Sequence, residues 1–115
     1  MLLTKSKLLA PSLLLAVVAG SLAEAVLAGD AAAARAQAQA LCQNCHGENG
    51  IAVLPGAANL SGQQKEYLRT QLRAYRSGSR RDEQMNVVAK TLTDADIENL
   101  AEWYSSIKIT VETPK

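Results

Sequence analysis

Cys42, Cys45 and His46 stand together as Cys42-Gln43-Asn44-Cys45-His46, and the chain contains no other cysteine or histidine. A disulfide is the default for two thiols in an exported chain. A two-residue spacer, however, closes a tight ring more typical of redox motifs than of structural bridges. The adjacent histidine decides the matter, because Cys-x-x-Cys-His is the signature of c-type haem attachment. Two intervening residues on a helical turn set the sulfurs apart by the spacing of the vinyl groups along one porphyrin edge. His46 then follows at once and points under the ring, where its imidazole can coordinate iron. Other sites fail on inventory. Zinc takes four protein ligands, or three and a water, and no further cysteine or histidine exists to complete the set. A thioredoxin-like dithiol would follow a strand in a βαβ context, whereas a helical pattern precedes this one.

Haem iron has a sixth position that is either filled or open, and this separates carriers from catalysts. A second histidine ligand is impossible within the chain. The two methionines are Met1 and Met85, and a second axial methionine favours electron transfer and a raised potential. A lone methionine is often a flexible core filler. Met85, flanked by Gln84 and Asn86 and on no apolar stripe, reads instead as a ligand carried by an irregular segment. The candidate residues are therefore Cys42 and Cys45 for the haem and His46 and Met85 for the metal, with no catalytic residue. A peroxidase or a haem sensor would need an open or displaceable sixth position, and a peroxidase also needs acid–base residues over it.

The rest of the chain must position these groups. Lys5, Lys7, an apolar run from Leu8 to Val18 and the small-residue ending Val26-Leu27-Ala28 read as a secretory signal over residues 1–28. Pro11, Gly20 and Glu24 interrupt the run and argue against a permanent membrane anchor. Losing Lys5, Lys7 and Glu24 from 12 basic and 11 acidic residues balances the charge of the remainder, so no general attraction to nucleic acid or acidic lipid follows. Residues 29–115 form one small domain without phenylalanine, and a core of that size calls for a staple, such as a large flat cofactor.

Asp30 caps a helical pattern running to about Cys45, with Ala34, Ala38, Leu41 and Cys45 on one face. Residues 47–60 have loop composition around the apolar Ile51-Ala52-Val53-Leu54. Ser61 and Gln64 suggest a capping box for a helix to about Ser77, with Leu68, Leu72 and Tyr75 as its buried stripe. Ser79 to Asn86 reads as irregular, with one helical turn over Val87 to Lys90. Thr93 caps a last helix whose apolar face is Ile97, Leu100, Ala101 and Tyr104, with acids in its first turn. Lys65, Arg69, Arg73, Arg76 and Arg80 line one side of the second long helix, while Asp94, Asp96, Glu98 and Glu102 crowd the last. These charges form either two solvated faces or a dipole whose basic stripe docks a partner or offsets the haem propionates.

Cys42-Gln-Asn-Cys-His-Gly-Glu-Asn-Gly50, then Pro55-Gly-Ala-Ala-Asn-Leu-Ser-Gly-Gln63 with Tyr67-Leu68, and later Gln84-Met85, resemble the class I cytochromes c, in particular the bacterial c553/c4-type branch. Leu92 to Tyr104 is similar to that branch's terminal helix. The resemblance implies an all-α class I cytochrome c fold, three to four helices wrapped around one covalently bound haem c, over residues 29–115. It implies Cys42 and Cys45 as attachment points, His46 as proximal and Met85 as distal ligand, and a carbonyl at Pro55 orienting the imidazole. The c4 proteins carry two such domains, and many relatives have a second methionine where this chain has Val88. The expected function is one-electron transport in the periplasm, not enzymatic catalysis. The expected partners are redox proteins: respiratory complexes, a terminal oxidase or a periplasmic dehydrogenase, of which the chain could instead be the haem subunit. No nucleic acid partner is expected, nor a membrane-embedded mature form.

Overall fold

The computed structural model describes residues 30–115; the signal segment expected over residues 1–28 lies outside them. Asp30 opens α1 (Ala31–Leu41), its carboxylate accepting from the amides of Ala32 and Ala33 at 3.0 and 3.1 Å. Alanine carries a helix at little entropic cost, and its small side chain lets another helix approach closely. Ala34 and Ala38 are the buried residues of α1. The chain departs from helical geometry at Cys42, with φ −113°, and resumes as α2 (Gln43–His46). The single helix expected to Cys45 is thus two segments, still linked by the Cys42 amide bonding to the Ala38 carbonyl at 2.9 Å.

Residues 47–64 form a wrapped loop, as their composition suggests. Gly47 adopts φ +79°, and a side chain there would collide with the Ile51 carbonyl. The apolar stretch pairs with no strand; the amides of Val53 and Leu54 bond instead to the Cys45 carbonyl at 3.0 and 3.2 Å. The capping box expected from Ser61 and Gln64 does not form. Ser61 is buried and donates to the Asn49 carbonyl, so the preceding loop engages its hydroxyl. Gln64 itself is the N-cap of α3 (Lys65–Ser77), without a side-chain bond, and a left-handed Gly78 ends that helix.

Helix α4 (Glu83–Lys90) starts earlier than its polar sequence suggests. The Asp82 carboxylate accepts from the amides of Gln84 and Met85 at 3.0 and 2.8 Å. Met85 therefore sits in the first turn of a capped helix rather than in an irregular segment. Helix α5 (Asp94–Ser106) begins at Thr93 in a reciprocal capping box. Its Asp96 amide bonds to the Thr93 hydroxyl, and the Thr93 amide bonds to the Asp96 carboxylate.

Helix α5 packs against both α1 and α3, and α3 also packs against α4. Ala38, Leu68, Leu92, Ile97, Leu100, Ala101 and Tyr104 form the buried cluster, including all four residues of the apolar face expected for the last helix. No strand occurs among the described residues, so the all-α expectation holds. Five helical segments arise because the first helix breaks at Cys42 and α4 is a helix in its own right.

The charged faces of α3 and α5 meet along their shared seam. Lys65 pairs with Glu102 at 2.6 Å, Arg69 and Arg73 with Glu98 at 3.3 and 3.0 Å, and Arg76 with Asp94 at 2.5 Å. The basic stripe is therefore largely matched within the molecule.

Candidate functional site

After the break that ends α1, Cys42, Cys45 and His46 of the Cys-x-x-Cys-His segment all line a cavity. Cys42 and Cys45 have free thiols, and the amides of Cys45 and His46 both reach the Cys42 carbonyl, at 3.3 and 2.9 Å. This single turn sets the two sulfurs and the imidazole on one side. His46 is buried, and its Nδ1 lies 2.7 Å from the Ala58 carbonyl. A carbonyl can only accept, so Nδ1 carries the proton and Nε2 keeps a free lone pair for a metal.

The orienting carbonyl belongs to Ala58 and not to Pro55, as the family resemblance had implied. The Ala57 amide closes a turn onto the Leu54 carbonyl at 3.2 Å, with Pro55 inside that turn, three residues before Ala58. The Ala52 amide bonds to the Asn59 side chain at 2.8 Å, and the Leu60 amide to the Gly50 carbonyl at 2.7 Å. Those two bonds hold the chain on the far side of Ala58, so that its carbonyl faces the ring.

Met85 reaches the site from a different element, the first turn of α4. Asn86 secures its turn, accepting from the Asp82 amide at 2.8 Å and donating to the carbonyls of Tyr75 and Arg80 at 2.6 and 2.9 Å. The sequence did hold the signal for this helix: Asp82 followed by Glu83 is an N-cap with an acid in the first turn.

The cavity has a volume of about 490 Å³, and its lining includes Cys42, Cys45, His46 and Met85. The structure thus brings all four sequence-derived candidates to one space. Leu54, Leu68, Leu72, Val88, Leu92 and Leu100 also line it, giving the apolar enclosure that a flat aromatic macrocycle requires. Burial pushes the Cys42 thiol above its ordinary pKa, with a smaller opposing effect from the Tyr104 hydroxyl. The donor set fits a haem: a soft sulfur and an imidazole nitrogen for iron, and two thiols beside the imidazole for covalent attachment. Three-ligand clusters of His, Cys, Asp or Glu are absent among the described residues.

The sequence reading grouped Arg80 with the stripe and did not separate it from the other four. It is the only arginine or lysine lining the cavity among the described residues. Its guanidinium bonds to Gln71 Oε1 at 2.5 Å and lies 4.6 Å from the centre of the Tyr75 ring. Unlike the rest of the stripe, it makes no carboxylate pair among the described residues. Its place beyond the end of α3, past Gly78, sets it apart from the arginines that reach α5.

Residues 31–108 match the family model described as cytochrome c. The chain is 40% identical over 82 residues to cytochrome c-554(548) of Halomonas halodenitrificans, covering 69% of this chain and 98% of that one. It is 39% identical over 100 residues to cytochrome c4 of Pseudomonas aeruginosa, covering 87% of this chain and 48% of the relative. The chain thus spans about half the length of that c4 protein. The solved structure of reduced recombinant cytochrome c4 from Pseudomonas stutzeri superposes with a TM-score of 0.58 at 30% identity, over 67% of this chain and 50% of that one.

Proposed function

The chain belongs to the cytochrome c family, and on that premise we propose that it is a periplasmic one-electron carrier with a single haem c. Covalently bound haem c is the family's cofactor, and electron transport is its work. When bound, the group supplies an iron that alternates between ferrous and ferric states.

We assign the chain's own residues to holding it. Cys42 and Cys45 provide the thioether links, and His46, oriented by the Ala58 carbonyl, provides Nε2 as the proximal ligand. Met85 provides the distal sulfur from α4, and its soft neutral donor favours the ferrous state and a high potential. Arg80, held by Gln71 and Tyr75, supplies the one cationic side chain toward the haem carboxylates. We assign residues 29–115 as the carrier domain and residues 1–28 as its export signal; among the described residues no helix is long and apolar enough to cross a membrane.

The partner in this reading is another redox protein. Leu41 and Leu54 line the cavity yet are 41% and 50% exposed, and Ile51 and Val53 are exposed beside Leu54 in the same loop. With the α3 charges matched by α5, docking at this apolar rim depends little on long-range attraction.

The observation that carries the proposal is that Cys42, Cys45, His46 and Met85 all line one cavity. A carbon monoxide titration of the ferrous holoprotein tests it. A carrier with both iron faces occupied keeps its spectrum, whereas a sensor or peroxidase with an open face changes at once.

A further inference from the structure

One buried polar group on the cavity wall lacks a partner. Tyr104 of α5 is 3% exposed and belongs to the apolar cluster, yet its hydroxyl makes no hydrogen bond of ordinary geometry. Buried hydroxyls are nearly always paired, so a phenol kept here calls for an acceptor. The ring's place is fixed from two directions. Gly50 adopts φ +74°, and a Cβ there would lie 2.9 Å from two ring carbons of Tyr104. The Tyr104 backbone carbonyl accepts from the Gly62 amide at 3.0 Å. Cys42 packs against the cluster that contains Tyr104, and both residues line the cavity; the hydroxyl is near enough to oppose, less strongly, the upward push of burial on the Cys42 thiol. Trp103 Nε1 and Arg69 Nε are also unpartnered, but neither residue lines the cavity.

We infer that Tyr104 is a positioning residue for the cofactor, its hydroxyl donating a hydrogen bond to the Cys42 sulfur once that sulfur is a thioether. Resting on the attachment proposed above, this deepens it by giving the two sulfurs unequal surroundings. A thioether sulfur has no proton and can only accept, whereas a free thiol also carries a donor of its own. Attachment therefore converts an ambiguous pair into a donor and an acceptor. The hydrogen bond draws electron density from the sulfur and from the porphyrin edge bonded to it, which favours ferrous iron. Hydrogen bonding around a redox centre is an established lever on its potential.

Tyr104→Phe keeps the ring between Gly50 and the core and removes only the donor. Both proteins are first extracted with acid–acetone. Haem retained in both sustains the attachment, while haem lost from wild type overturns the attachment and this inference with it. In the retained holoproteins, the variant is expected to show a lower reduction potential and a shifted carbon–sulfur stretching band in resonance Raman spectra. Transfer of the wild type into deuterium oxide is expected to move that same band and to leave the variant's band unchanged. This isotope comparison reads the wild type directly, so the inference stands or falls on it even if the variant folds poorly. An unchanged potential in the variant, or a wild-type band indifferent to deuterium, would overturn the role of Tyr104 while leaving the thioethers in place.

Discussion

The α1–α5 side and the α3–α4 side of the molecule use similar helices and finish them differently. On the first, Ala34, Ala38, Ile97 and Ala101 are between 0% and 3% exposed. On the second, Leu72, Tyr75, Met85 and Val88 line the cavity and are only half-buried. One side closes on itself with protein atoms. The other is a wall whose apolar face waits for a partner, and the Cys-x-x-Cys-His turn delivers that partner at the boundary between them. The contrast shows how a short chain without phenylalanine reaches a stable core. Part of the core is encoded as side chains, and part as a place for a cofactor.

Removing the attachment chemistry should have the largest effect, and mainly on the unfinished side. Replacing Cys42 and Cys45 together by Ser should nearly abolish holoprotein yield, read from haem absorbance per unit protein. The haem-free chain should lose the large cooperative melting transition of the holoprotein by calorimetry. An apoprotein transition as large as the holoprotein's would show that the α3–α4 wall needs no filling.

The finished side can be probed by opening it. Ile97→Ala removes a side chain of α5 that is 0% exposed, sits in the buried cluster and does not line the cavity, and should cost about 2–5 kcal/mol by chemical denaturation. The visible spectrum should be little changed, because the cofactor's own contacts remain.

How far each side could be read from sequence follows from the same contrast. The α5 face, the Thr93 cap and the Asp30 cap depend on residues close together in the chain, and periodicity exposes them. The beginning of α4 was hidden because Gln84 and Asn86 look like loop residues until Asp82 is seen accepting from the amides that follow it. The Ser61–Gln64 box fails because Ser61 has a better partner in Asn49, a contact across the loop that no local pattern reveals. The matching of Lys65, Arg69, Arg73 and Arg76 with α5 depends on which helix faces meet. Spacing alone gave the stripe but not its partner. The four residues proposed for the haem could be named from sequence because covalent attachment and iron ligation each demand a particular residue type, and all four line one cavity. The Ala58 carbonyl could not, since any residue can supply a carbonyl.

The α3–α5 seam predicts smaller effects. Glu98→Gln weakens the contacts to both Arg69 and Arg73, which lie at a partly exposed surface, and should cost about 1 kcal/mol or less, with salt reducing the difference. The Asp94 carboxyl is held below its ordinary pKa, chiefly by its hydrogen bond from Arg76 and then by that residue's charge. Its contribution is complete above the ordinary carboxylate range and is lost as pH falls through the lowered folded value. Asp94→Asn should therefore lower stability slightly at neutral pH, flatten the acid limb of the stability curve and converge with the wild type at the lowest pH. Because these charges are matched internally, transfer to a redox partner should slow only modestly as salt rises; a steep fall would restore the basic stripe as a docking surface.

The central claim is that the unfinished wall carries an iron ligand, and Met85 is where it is most directly tested. Ferric wild-type protein should show the weak charge-transfer band at the red end of the visible spectrum that methionine–iron bonding produces. Met85→Ala should lose that band, lower the potential and bind carbon monoxide, while Cys42, Cys45 and His46 retain the cofactor. A wild-type protein without the band, binding carbon monoxide as readily as the variant, would contradict the assignment of Met85.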